Sequence, residues 1–245
     1  MGLKETEAFV LRSYKLAEAD KIVVLLTLEA GLLRGVARGA RRLKSRFGAS
    51  LEPFTHISLT YHEREGRELV SISQTDILRS HFHLAAQAEV VHALDYFSQM
   101  LCEFAPPAAP DERLFRLVKG VLGALADAPG EVPAFTRYFD VWLLKLSGFL
   151  PEVRRCAVCQ TPLDGGAVLN ANSSLQCRAC AQTGGLPLSQ GAQKLLRAAL
   201  RTAPGAWAQA YRAAGAEEHE QLARLTQLLL ARALERLPRA PHAPN

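Results

Sequence analysis

Cys156, Cys159, Cys177 and Cys180 fall in the pattern C-x2-C-x17-C-x2-C, and nothing else in this 245-residue sequence restricts local folding so sharply. Each Cys-x-x-Cys pair can curl through a tight knuckle that aims two thiolates at one ion. The 17-residue connection is long enough for a small hairpin that returns the second pair to the first. Four thiolates fill a zinc tetrahedron and leave no open position, so the ion expected here, one Zn2+, is structural rather than catalytic. Two disulfides do not suit a reducing compartment. A redox-active dithiol usually stands alone on a thioredoxin-like unit, and iron–sulfur ligand sets use other spacings. A zinc deaminase needs a His-x-Glu triplet beside its Cys-x-x-Cys, and the chain has none. The fifth cysteine, Cys102, lies between Leu101 and Phe104 and reads as a buried thiol.

The composition, 49% hydrophobic and 22% charged, is that of an ordinary folded domain rather than a disordered or disulfide-dense chain. The longest run of bulky apolar residues is Ile22 to Leu26. That is far too short to span a membrane. The opening MGLKETEAFV has two acids and no apolar core of a signal peptide, which gives a cytoplasmic expectation.

Net charge is +5, and its distribution says more than its total. Arg34, Arg38, Arg41, Arg42, Lys44 and Arg46 lie within residues 31–50, where there is no acid at all. A loop of this kind attracts phosphates with little regard to sequence, because each cation can release counterions from the polyanion. The plain alternative is a solvated loop that keeps the protein soluble. Glycines at 31, 35, 39 and 48, which allow close backbone approach, and the nearby aromatics Tyr14, Phe47 and Tyr61, as base-stacking platforms, favour nucleic acid.

The N-terminal third reads as five strands: Thr6 to Lys15, Lys21 to Leu28, Leu32 to Arg38, the alternating stretch around Ile57, Leu59 and Tyr61, and Leu69 to Leu78. Five short strands suit an OB-fold β-barrel, with an SH3-like barrel left open. From Leu84 the apolar period becomes helical. A second helix opens at Asp111-Glu112, a third at Pro133, a fourth is capped by Ser189, and a last one runs from Glu217 to Leu237. The expected organisation is α+β: barrel 1–80, first part of a helical domain 81–155, four-cysteine insert 156–187, second helical part 188–237 and a flexible tail 238–245. His81 and His83 are expected at the surface or the junction. No phosphate-binding G-x-x-x-x-G-K-[ST] or G-x-G-x-x-G motif is present, and neither His62-Glu63 nor His219-Glu220 continues into a zincin helix.

The run RGVARGARRLKSRFGASLEPF at 34–54, LLKLSGFLPEVRRCAVC at 143–159 and CRAC at 177–180 resemble the RecO family of bacterial recombination mediators over nearly the whole chain. One departure is Gln160, which stands where a glycine often follows the second cysteine. The resemblance implies a non-enzymatic DNA-repair protein, nucleoid-associated, that binds single- and double-stranded DNA and anneals complementary strands without ATP. It also implies work with RecR, and often RecF, to load recombinase on strands coated by single-strand-binding protein (SSB). The helix from Phe135 to Phe149 and the Leu-rich last helix are expected to leave a groove for the SSB tail. The residues alone leave two rivals open: a zinc-ribbon factor of transcription or translation, and a thiolate-zinc group-transfer enzyme.

Overall fold

The computed structural model describes residues 2–63, 66–106 and 108–237. The tail expected at 238–245 lies outside them. The chain divides into two compact units, one reaching to Arg116 and the other starting at Leu117.

The first unit is built on β1 (Leu3–Leu16), β2 (Asp20–Thr27), β3 (Gly31–Ala37), β4 (His56–His62) and β5 (Val70–Arg79). Strict alternation turns Ala8, Val10, Val23, Leu25, Ile57, Leu59, Tyr61, Val70 and Ile72 into one core, as a period-2 pattern requires. The strands close in the order β1-β2-β3-β5-β4, with β4 pairing back onto β1. Closure is made by a parallel contact between β3 and β5, Gly35 opposite Val70 and Val36 opposite Ser71. This is the order of an OB barrel, and it decides against the SH3-like alternative. Gly35 has a packing reason: a Cβ there would come within 2.8 Å of the Ile72 side chain. It makes room inside the barrel, not for a ligand's backbone.

Helix α1 (Ala88–Phe104) also belongs to this unit, so the compact body extends well past residue 80. The ladder between β1 and β2 slips between Val10 and Arg12, leaving Leu11 at a bulge. The Ser98 hydroxyl of α1 donates to the Leu11 carbonyl at 3.1 Å and accepts from Arg12 Nε at 2.9 Å. His81, expected at the surface or the junction, lies in the connection between β5 and α1 and is buried there, its Nδ1 donating to the Phe54 carbonyl at 2.9 Å. Phe47 and Tyr61 are buried as well, Phe47 beneath the loop and Tyr61 on the inward face of β4, which removes both as stacking platforms.

The chain passes between units along α2 (Glu112–Asp127), whose first turn is capped by Asp111, its Oδ1 accepting from the amides of Arg113 and Leu114. The second unit continues with α3 (Val132–Leu146), the short strands β6 (Ala167–Leu169), β7 (Leu175–Gln176) and β8 (Leu186–Leu188), then α4 (Gln190–Ala199), α5 (Pro204–Arg212) and α6 (Ala216–Arg236). Helix α3 packs on α5 and α6, and α4 on the same two. Phe135, Phe139, Leu222, Leu225 and Leu229 fill this core. The aromatic and Leu-rich helices therefore spend their apolar faces on each other. Among the described residues, the exposed large apolar side chains lie in the first unit, with Val158 the exception.

Helix α5 went unread in the sequence. It starts with Pro204 at its first turn and places Trp207 fully inside, with the indole donating to the Leu195 carbonyl at 3.0 Å. Trp142 likewise donates to the Ala199 carbonyl at 2.8 Å. Trp142 thus satisfies a carbonyl in the last turn of α4, where helical partners run out.

Candidate nucleic-acid interface and metal centre

The four cysteines meet. Their sulfurs all lie within 4.8 Å of one another, and Cys159 and Cys177 are 3.6 Å apart. A tetrahedron with metal–sulfur bonds of about 2.3 Å has edges of about 3.8 Å, so the spacing suits one ion held by four thiolates. None of the four is in a disulfide. The two knuckles repeat one backbone pattern: Gln160 N donates to the Cys156 carbonyl at 3.0 Å, and Ala181 N to the Cys177 carbonyl at 3.0 Å. The connection between them forms the hairpin β6–β7, with β8 added on the other side of β6. Gln160 has φ +60°, the left-handed region that favours glycine, which explains why a glycine suits that position.

Local dipoles prepare the sulfurs as ligands. The amides of Cys159 and then Cys177 pull Cys156 down to about 6, and the Thr161 hydroxyl holds Cys159 below the ordinary thiol value. Cys180, facing Cys159 and Cys177, is pushed up to about 12, as the last proton in a crowd of thiolates must be. A cation at the centre would remove that competition. Four such thiols can hold a metal ion.

Two arginines fix the insert to the helices. Arg197 of α4 donates from Nε to the Val153 carbonyl, from Nη1 to Asp164 and from Nη2 to the Leu163 carbonyl and Gln193. Arg232 of α6 donates to the Asn170 carbonyl at 3.1 Å and the Ser173 hydroxyl at 3.0 Å.

The basic residues separate into groups. Arg38, Arg41, Arg42, Lys44 and Arg46 are exposed in the connection after β3. Arg34 is half-buried on β3, opposite Val24, and close enough to Cys102 for its charge to oppose the upward push that burial gives the thiol. Cys102 itself is only partly buried. The loop is anchored at its shoulder: Gly39 N donates to Asp20 at 2.8 Å, Arg41 N to the Ala19 carbonyl, and Arg41 Nη1 to the Ala17 and Glu18 carbonyls. At its far end the guanidinium of Arg46 lies 4.9 Å from the centre of the Phe47 ring, within cation–π range. Tyr14 is partly exposed.

One cation escaped the sequence reading. Arg67, in the β4–β5 connection, lines a cavity of about 390 Å³ with Arg38, Val36, Val70 and Glu68. In sequence Arg67 sits among acids and looks neutralised, and only the parallel closure of β3 on β5 brings it beside Arg38.

No helix among the described residues is long and apolar enough to cross a membrane. Two family models match the chain, Recombination protein O N terminal over residues 1–81 and Recombination protein O C terminal over residues 89–240. It is 39% identical over 165 residues to the DNA repair protein RecO of Koribacter versatilis, covering 67% of each chain. It is 35% identical over 159 residues to that of Anaeromyxobacter dehalogenans, covering 65% of this chain and 62% of the relative. With the RecO of Geobacter metallireducens it shares 34% identity over 186 residues, 75% of each. A five-strand barrel, a helical unit with four clustered cysteines, and matches over both parts agree that this chain belongs to the RecO family.

Proposed function

We propose that this protein acts in DNA repair and homologous recombination as a mediator. It binds single- and double-stranded DNA, anneals complementary strands without ATP and, with RecR and in some settings RecF, helps load recombinase on DNA coated by SSB. The observation that carries the reading is the anchored, acid-free loop of Arg38, Arg41, Arg42, Lys44 and Arg46 on an OB barrel in a chain of the RecO family. Clustered cations without acids bind phosphates by releasing counterions, so each strand's charge is screened and two complementary strands can approach. Arg38 and Arg67 extend the path toward the β4–β5 connection.

The metal reading is structural zinc held by Cys156, Cys159, Cys177 and Cys180. The ion would supply folding free energy to the insert, and four thiolates leave it no position for substrate. We assign no catalysis to the chain and place it in the cytoplasm with the nucleoid.

Annealing of complementary oligonucleotides in the absence of ATP is the test. Acceleration over the spontaneous rate, lost together with binding when Arg42 and Lys44 are both replaced by alanine, is the expected result. A preference for RNA without annealing would favour the zinc-ribbon alternative, and DNA binding unchanged by the double substitution would move the path off the loop.

A further inference from the structure

We propose that Leu43 is the base-contacting residue of the basic loop, a bare apolar tip that meets the faces of unpaired bases while the surrounding cations hold phosphates. This rests on the reading that the loop binds DNA and adds which part of the DNA it touches.

Leu43 is fully exposed, at 103% of its reference area, more than any other large apolar residue described. It follows Arg42 in a turn closed by Ser45 N donating to the Arg42 carbonyl at 3.0 Å. The turn is held in place. Arg42 N donates to the Gly39 carbonyl, Arg41 is bonded to the β1–β2 connection, and beyond the turn Phe47, Ser50 and Leu51 are buried in the barrel. A leucine side chain gains on the order of 2 kcal/mol by leaving water, and this loop gives it nothing to leave water for. Its presentation on a fixed turn is therefore suited to a partner.

Its neighbours name the chemistry of that partner. Arg41, Arg42, Lys44 and Arg46 are exposed around it. They select a polyanion, and a polyanion with apolar faces a few ångströms from its charges is a nucleic acid with unstacked bases. In a duplex those faces are covered, and a leucine reaches them only by wedging open a base step at a cost of a few kcal/mol. Leu43 therefore favours single strands. Phe47 and Tyr61 cannot serve in its place, being inside the barrel.

The experiment compares the full chain with Leu43→Ser, titrating a labelled single-stranded oligonucleotide and its duplex over a series of salt concentrations. The expected result is about a tenfold loss on the single strand, about twofold or less on the duplex, and an unchanged salt slope, since no phosphate contact is removed. Leu43→Phe should restore or tighten single-strand binding. Equal single-strand affinity of the parent and Leu43→Ser would overturn the proposal, and so would equal losses on both forms. Loss of binding to phosphatidylserine vesicles with DNA binding unaltered would also overturn it, in favour of a membrane surface. If the parent binds no DNA at all, the failure belongs to the loop reading and not to Leu43.

Discussion

Arg197 of α4 donates to Asp164 at 2.7 Å across a gap of 33 residues, and with its remaining nitrogens holds the Val153 and Leu163 carbonyls on either side of the first knuckle. One planar guanidinium thereby reads three points of the chain that carries Cys156 and Cys159. Its fork geometry is the reason an arginine stands there, since a lysine ammonium cannot match three fixed acceptors with the same rigidity.

Replacing Arg197 with alanine should cost about 2–4 kcal/mol in denaturant unfolding of the second unit, because partly buried acceptors lose a charged donor. Arg197→Lys should recover only part. Zinc content should be preserved in both variants, since the four sulfurs are not touched, but exchange of the bound ion with free chelator should quicken. An alanine variant as stable as the parent would show that the clamp is dispensable.

Cys177→Ser tests the ion itself. On the proposed zinc reading it removes one ligand of four, and a hydroxyl is a poor substitute for a thiolate toward zinc. The variant should retain well under one equivalent of metal after dialysis and unfold earlier, whereas the barrel's signal should stay unchanged. A full equivalent of zinc in the variant would take Cys177 out of the site.

Much of this fold was open to sequence reasoning where periodicity is strong. The five strands and the longer helices follow from apolar spacing, and Ser189 caps α4 as anticipated, its hydroxyl accepting from Ala192 N at 3.1 Å. Helix α5 escaped because PGAWAQAYR is rich in alanine and its large buried side chains are Trp207 and Tyr211 alone, too few residues to declare a period. The cysteine site was legible because spacing encodes geometry directly. The basic loop was only half legible. Charge counts found its cations, but which residues are exposed depends on barrel closure: Tyr61 shares the inward face of Ile57 and Leu59, Arg34 lies near Cys102, and Arg67 joins Arg38 only through the parallel β3–β5 contact.

Gln160→Gly follows from the backbone of the first knuckle. A non-glycine residue at φ +60° costs about 1–2 kcal/mol, and the added chain entropy of glycine in the unfolded state offsets part of the gain from relieving it. The variant should gain about 0.5–1 kcal/mol in the second unit's unfolding free energy with zinc bound. Gln160→Val should lose stability, because a β-branched side chain tolerates that region least. A destabilised glycine variant would mean that the Gln160 side chain, not its backbone, sets the knuckle.

His81 predicts a pH dependence in the first unit. Burial holds its pKa below the ordinary 6.5, and the nearby charges of Arg79, His83 and His56 push the same way, while the bond to the Phe54 carbonyl opposes them. The folded state thus prefers neutral imidazole, with the proton on Nδ1 because a carbonyl can only accept. The stability this contributes is fully present above the unfolded value of about 6.5 and is lost as pH falls through the lower folded value. Unfolding measured between pH 7.5 and pH 5 should show the first unit weakening, and His81→Asn, which keeps a donor without a titrating ring, should show less of that decline. Parallel pH profiles for parent and variant would show that His81 does not titrate against the fold.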